Sequence, residues 1–135
     1  MASYNKFNSF VEALAEKKHD LSSDAVTVAL CAAANAPVAT NSVLGDLTTA
    51  STANLDDVTP AISSSSQTDG TYSLVLTDLT MTASGSVGPF RYVVLYNDDA
   101  TSDELICWYD YGSEITMSSG ETFTIDFGTE LFTLE

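Results

Sequence analysis

The chain has 135 residues, which suits a single domain, and it carries 19 acidic side chains against four basic ones, for a net charge of −15. So negative a surface repels phosphate groups and anionic lipids, and we expect neither nucleic acid nor a membrane as a partner. The first residues lack the apolar core of a signal peptide, and no apolar run reaches the roughly 18 residues of a membrane helix, which predicts a protein made and folded in a cytoplasm.

The N-terminal segment carries the clearest helical pattern of the chain. Its apolar side chains have the spacing of one helix face: Phe7, Phe10, Val11 and Leu14. Asn5 is placed to cap the start, and His19 follows two lysines where cations favour the end of a helix. After residue 20 the apolar period changes to that of strands. We therefore predict a helix or arm over residues 1–20 and a single β-domain over residues 21–135.

The β-domain contains six segments of apolar or alternating residues that predict strands: 25–33, 71–83, 89–97, 105–111, 121–127 and 131–134. The first can be buried on both faces. A break near Asp78 indicates a bulge or a register change. An acidic turn joins the third and fourth segments, which predicts a hairpin. With no second helix, the fold class is mainly β, an antiparallel β-sandwich or jelly-roll-like domain.

Strand alternation also predicts which side chains share a face. One face of the third segment is expected to hold Phe90, Tyr92, Val94 and Tyr96, and the other Arg91, Val93 and Leu95. In the fourth segment Trp108 and Tyr109 fall on opposite faces. Cys31 and Cys107 lie in strand-like runs, and we interpret them as small buried hydrophobic residues rather than as a disulfide.

Motifs for catalysis are missing from the sequence. His19 is the single histidine and has no nucleophile motif near it, so we expect a helix-end cation and no enzyme activity, and we expect no cofactor. Four acidic residues in the predicted hairpin turn are a weak calcium candidate: Asp98, Asp99, Asp103 and Glu104. The simpler interpretation of these four is a solvated loop.

Five stretches of the chain resemble small virion proteins of phages and prophages: residues 4–12 (YNKFNSFVE), 19–21 (HDL), 88–98 (GPFRYVVLYND), 108–112 (WYDYG) and 120–127 (GETFTIDF). The resemblance implies a structural protein of the virion, assembled in the host cytoplasm. Its most specific implication is a capsid decoration, or cement, protein that binds the major capsid protein and associates with itself as a trimer or dimer. The alternative is a tail, tail-tube or fibre component that binds a receptor or carbohydrate. No catalytic residue comes with the resemblance.

The N-terminal segment is the predicted surface for assembly. Six of its residues are the candidate contacts: Tyr4, Lys6, Phe7, Phe10, Val11 and Leu14. The apolar stripe either packs on its own domain or docks on a neighbour. In either case we expect Phe7 and Phe10 to contribute more than the lysines, because exposed ion pairs are weak and are screened by salt.

Overall fold

The structure is a computed structural model that describes residues 2–135. The protein consists of antiparallel sheets packed together and one α-helix. The predicted mainly β class, consistent with a β-sandwich, is therefore confirmed. The helix α1 spans Ser9–Ala15. The strands are β1 (Ser3–Lys6), β2 (Val26–Cys31), β3 (Ile62–Thr68), β4 (Thr71–Leu76), β5 (Leu79–Thr82), β6 (Val87–Asn97), β7 (Leu105–Met117), β8 (Thr122–Ile125) and β9 (Phe132–Leu134).

The strands form three sheets. The largest has the order β1-β7-β6-β2, a second has β3-β4-β9, and a third pairs β5 with β8. The hairpin of β6 and β7 is confirmed, with Val94 opposite Trp108. A break near Asp78 is present, but it is neither a bulge nor a register change within one strand: the predicted segment 71–83 divides into β4 and β5, which pair with different strands in different sheets.

The four-stranded sheet is buried on both faces along β2, most of β6 and the first half of β7. One face joins the main core, in which Val28, Leu95 and Tyr109 pack with side chains of the two smaller sheets. The other face holds Trp108 in a second cluster, which the loop residues around Leu44 cover. Both predictions about this sheet are therefore confirmed: all of β2 is buried, and Trp108 and Tyr109 lie on opposite faces.

The predicted face of β6 is wrong at one residue. Phe90 was expected beside Tyr92 and Val94, but it packs in the main core with Val93 and Leu95. The reason is a register shift between Phe90 and Tyr92 in the pairing with β7, which moves Phe90 to the other side of the sheet.

The N-terminal segment differs most from its prediction. Ser3–Lys6 form β1 and pair with β7. The helix starts only at Ser9, so Asn5 lies in a strand and does not cap the helix. The N-cap position belongs to Asn8, whose side chain makes no capping hydrogen bond. Because Phe7 and Phe10 are buried, this segment is an integral part of the sheet and core and does not form a detached arm.

Candidate functional site

A groove of about 560 Å³ lies between the β1–β7 side of the large sheet and the segment that joins β8 to β9. We call it the tyrosine groove and define it by six side chains: Tyr4, Tyr109, Tyr111, Asp126, Phe127 and Glu130. Concave surfaces with aromatic walls and a few polar groups are the usual form of binding sites.

Strand pairing brings the aromatic rings of the groove together. Tyr4 of β1 is directly opposite Tyr109 of β7, and their ring centroids are 5.6 Å apart in an edge-to-face arrangement. Tyr111 follows two residues after Tyr109 and lines the same groove, as strand alternation requires. The ring of Phe127 lies 6.2 Å from that of Tyr109 and closes the opposite wall. Such edge-to-face and tilted contacts hold the rings in fixed positions.

The charged groups of the groove are all acidic. Asp126 and Glu130 are exposed, and no lining residue is Lys, Arg or His. The Oδ1 atom of Asp126 accepts a hydrogen bond of 2.8 Å from the backbone N–H of Gly128, which orients this carboxylate. Within residues 2–135 the single ion pair is Arg91–Asp110, so neither carboxylate of the groove has a cationic partner there.

The phenol groups of the groove are neutral at physiological pH. Burial raises the pKa of Tyr111 to about 12, and the negative charge of Asp126 acts in the same direction. Burial also raises the pKa of Tyr109. The groove therefore presents neutral aromatic rings, hydroxyl groups that can donate hydrogen bonds, and carboxylates that can accept them. This is the chemistry of a binding site for a cation or a polyhydroxylated ligand.

No protein-family model matches the chain, and no curated protein or solved structure is significantly similar to it. The described residues contain no helix that is both long and apolar enough to cross a membrane. The functional assignment therefore rests on the residues themselves and on the surfaces that they form.

The structure separates the six predicted assembly contacts. Tyr4 lines the tyrosine groove, and Lys6 is exposed at the end of β1. Phe7 packs against Trp108 with ring centroids 4.6 Å apart, and it is fully buried. Phe10 is also buried. These two phenylalanines therefore fill the cores of their own domain and present no exposed surface to a neighbour.

The remaining two contacts lie on the helix. Val11 is 50% exposed and faces outward. Leu14 is half-buried and lines a second groove of about 430 Å³, together with Tyr72 and Leu134. The helical stripe thus divides into a buried side and an exposed side, because a helix of seven residues places only part of its apolar face against the sheets.

His19 is not the exposed helix-end cation that the sequence predicts. The helix ends at Ala15, the backbone reverses at Lys17 with a φ of 66°, and His19 turns inward to 7% exposure. Its Nδ1 atom accepts a hydrogen bond from Asn97 Nδ2 over 3.0 Å. Its Nε2 atom is buried without a partner, and burial lowers the pKa of the ring.

The acidic turn has a structural role in the loops around β2 and β7. Asp99 accepts a hydrogen bond of 2.7 Å from the backbone N–H of Ala25, and Glu104 accepts one of 3.3 Å from Ser102. Across the described part of the chain, no three His, Cys, Asp or Glu side chains are grouped to hold a metal ion. The two remaining calcium candidates, Asp98 and Asp103, therefore do not complete such a group either.

Sequence reasoning identified part of the tyrosine groove. The pair Tyr109 and Tyr111 is visible as alternating aromatics in one strand-like segment. Tyr4 and Phe127 join them only because β1 pairs with β7 and the chain after β8 returns to the same edge. Neither contact leaves a local signal in the sequence.

Proposed function

We propose that this protein is a structural protein of a tailed-phage particle, a decoration protein that binds the outside of the head shell. Its partner is the major capsid protein, and its copies associate with one another as a trimer or dimer. In this proposal the protein acts by binding and performs no catalysis. The attachment surface is the outer edge of β1 together with the tyrosine groove beside it.

One observation carries the proposal: four of the five stretches that resemble virion proteins lie close together in space. Residues 4–12 contain most of β1, residues 108–112 lie in β7, and residues 88–98 contain most of β6, so they occupy three neighbouring strands of one sheet. Residues 120–127 contain β8 and end in the opposite wall of the tyrosine groove. Three of the stretches that are far apart in the chain, residues 4–12, 108–112 and 120–127, thus line a single groove, as expected if that groove is what the resembling proteins share.

The open edge of β1 also supports attachment at this place. Within residues 2–135, β1 pairs with β7 alone, and three of its four residues are exposed. An edge strand with free backbone groups can add a strand from another chain, and proteins that remain monomeric usually cover or charge such an edge.

The charge of the domain supports a place on the outside of the particle. At −15, the protein is repelled by packaged nucleic acid and keeps its distance from free copies of itself. Copies that lie side by side on a shell then need specific contacts that overcome the repulsion between them. The need for these contacts limits binding to sites that provide them.

A tail or fibre component that binds carbohydrate is the second candidate. The tyrosine groove supports it directly, because aromatic rings and carboxylates such as Tyr111 and Asp126 also suit the faces and hydroxyl groups of a sugar. The two proposals predict different amounts of protein per particle, since a shell has many equivalent sites and a fibre has few.

Quantitative mass spectrometry of purified particles tests the proposal. We expect this protein at a fixed ratio to the major capsid protein that matches the symmetry of the shell. A ratio that matches the tail-tube or fibre proteins would favour the second candidate. Absence from purified particles, while the protein is abundant in the cells that produce them, would contradict both.

A further inference from the structure

We propose that the tyrosine groove binds an arginine or lysine side chain from a positively charged, extended segment of a partner protein that pairs with the open edge of β1. This inference rests on the proposed function, because it names the chemistry by which the shell protein would be recognised. The occupant is therefore a basic strand of another protein.

Charge complementarity is the first argument. Asp126 and Glu130 stand at the groove without a cation from the described chain, and the lining contains no base of its own. The single arginine, Arg91, already pairs with Asp110 through Nε at 2.8 Å, so it does not supply the missing charge. A cationic side chain in the groove would find two exposed carboxylates that have no ion-pair partner in the described chain.

The aromatic walls supply the second argument. A guanidinium or ammonium group is attracted to the face of a tyrosine ring within about 6 Å of its centroid, and the attraction increases as water is excluded. The chain uses this contact itself, since the guanidinium carbon of Arg91 lies 5.3 Å from the centroid of the Tyr92 ring. Tyr4 and Tyr111 line the groove together with Tyr109 and are neutral, so their rings can contribute to binding a cation.

The position of β1 supplies the third argument. A strand that pairs with its free edge would lie about 4.8 Å from β1, and every second side chain would point to the same face as Tyr4. Tyr4 is 39% exposed and is already at the lip of the groove. Backbone pairing with β1 would therefore carry alternate side chains of the added strand towards the carboxylates.

Isothermal titration calorimetry with the full chain at low salt tests this inference. The probe is a blocked octapeptide in which arginine alternates with threonine, compared with the same peptide carrying neutral citrulline instead of arginine. We expect binding of the arginine peptide and at least about tenfold weaker binding of the citrulline peptide. Equal affinities for the two peptides would overturn the inference, as would no binding of the arginine peptide.

Two double variants separate the groove from general electrostatic attraction. The first, Asp126→Asn with Glu130→Gln, is expected to weaken arginine-peptide binding about tenfold. The second, Glu12→Gln with Glu16→Gln, removes the same amount of charge from exposed positions of the helix segment and is expected to change affinity less than about twofold. Equal losses in the two variants would mean nonspecific attraction and would contradict the groove.

Failure of this inference is distinguishable from failure of the proposed function. A protein that fails to bind the peptide but is present on purified shells would refute the basic-strand inference and leave the decoration role intact. A protein that binds the peptide through the groove but is absent from particles would refute the decoration role and leave the groove chemistry intact.

Discussion

Asn97, at the end of β6, donates a hydrogen bond from Nδ2 to Nδ1 of His19 over 3.0 Å and thereby joins the N-terminal segment to the large sheet. The same amide group donates to Asp24 Oδ2 over 2.7 Å, and its Oδ1 accepts from the backbone N–H groups of Asp99 and Ala100. Because an amide nitrogen only donates, Nδ1 of His19 must be the acceptor, which leaves the proton on Nε2. The neutral ring is therefore built into the fold.

This contact predicts a loss of stability in mild acid. Burial lowers the pKa of His19 below its ordinary value of 6.5, against the opposing charges of Glu104 and Asp24. The unfolded chain then binds a proton more readily than the folded chain does, so the free energy of unfolding falls as the pH drops below about 6.5 and stops falling at the lower folded-state pKa. Urea unfolding at a series of pH values measures this decline.

The His19→Asn variant is the matched control for that experiment. Its amide oxygen can replace Nδ1 as the acceptor for Asn97, but it does not titrate. We expect its stability to be nearly constant between about pH 7 and pH 5. The carboxylates of Asp20, Asp46 and the half-buried Asp110 have lowered pKa values and lose their stabilising contacts only at more acidic pH. An equal decline in both proteins would assign the effect to other groups.

Two neighbouring residues of the helix are expected to differ sharply in their effect on stability. Phe10 is 2% exposed and packs against Phe132 with ring centroids 5.2 Å apart, so Phe10→Ala should lower the free energy of unfolding by about 3–5 kcal/mol. Val11 is largely exposed, and Val11→Ala should change it by less than about 0.5 kcal/mol. Equal, small effects in urea unfolding would show that the helix does not pack on the core.

The N-terminal strand should be required for folding. A chain that lacks residues 1–18 loses β1, Phe7 and Phe10 together, which exposes the edge of β7 and opens both cores. We expect the truncated protein to be strongly destabilised or unfolded by circular dichroism, because removing a single buried phenylalanine already costs several kcal/mol. A truncated chain with unchanged unfolding would restore the interpretation of this segment as an arm.

The two cysteines should be unreactive until the domain unfolds. Cys31 and Cys107 are free and buried, as the sequence indicates, and burial raises the pKa of Cys31 to about 11. Burial is also the main cause of the raised pKa of Cys107. Because the thiolate is the reactive form, a disulfide reagent should label both thiols in denaturant and neither at an appreciable rate in the native protein. Rapid labelling of the native protein would contradict the burial of these side chains.

Acid should also promote association between copies. The sequence pI is near 4.1, so lowering the pH towards that value removes most of the net charge that keeps copies apart. We expect light scattering to increase as the pH approaches the pI. We expect it to decrease again when the pH is returned to 7, as long as no irreversible aggregate has formed. Scattering that stays constant over this range would mean that net charge does not control solubility.

The sequence predicts this fold best where the partner strand is close in the chain. The hairpin of β6 and β7 follows from two alternating segments around an acidic turn, and the change near Asp78 follows from a break in alternation. The N-terminal segment misleads because Phe7 has helical spacing from Phe10 and Leu14 although it lies outside the helix. Its environment is set by the pairing of β1 with β7, about a hundred residues away, which local spacing does not encode.

The candidate site shows the same limit. Tyr109 and Tyr111 are recognisable as a pair because they are two residues apart in one strand. Their meeting with Tyr4 and Phe127 depends on sheet order and register, and the uncompensated charge of Asp126 emerges only when its neighbours in space are known. Composition shows that the protein is acidic, but it does not show that the carboxylates of Asp126 and Glu130 lie beside the tyrosine rings of the groove.

Cryo-electron microscopy of the intact particle tests the central claim most directly. We predict copies of this protein on the outside of the head shell, with the free edge of β1 and the tyrosine groove in contact with a basic segment of the major capsid protein. A reconstruction in which the groove faces solvent and another surface contacts the shell would contradict the attachment surface. A reconstruction that places the protein away from the shell would contradict the decoration role.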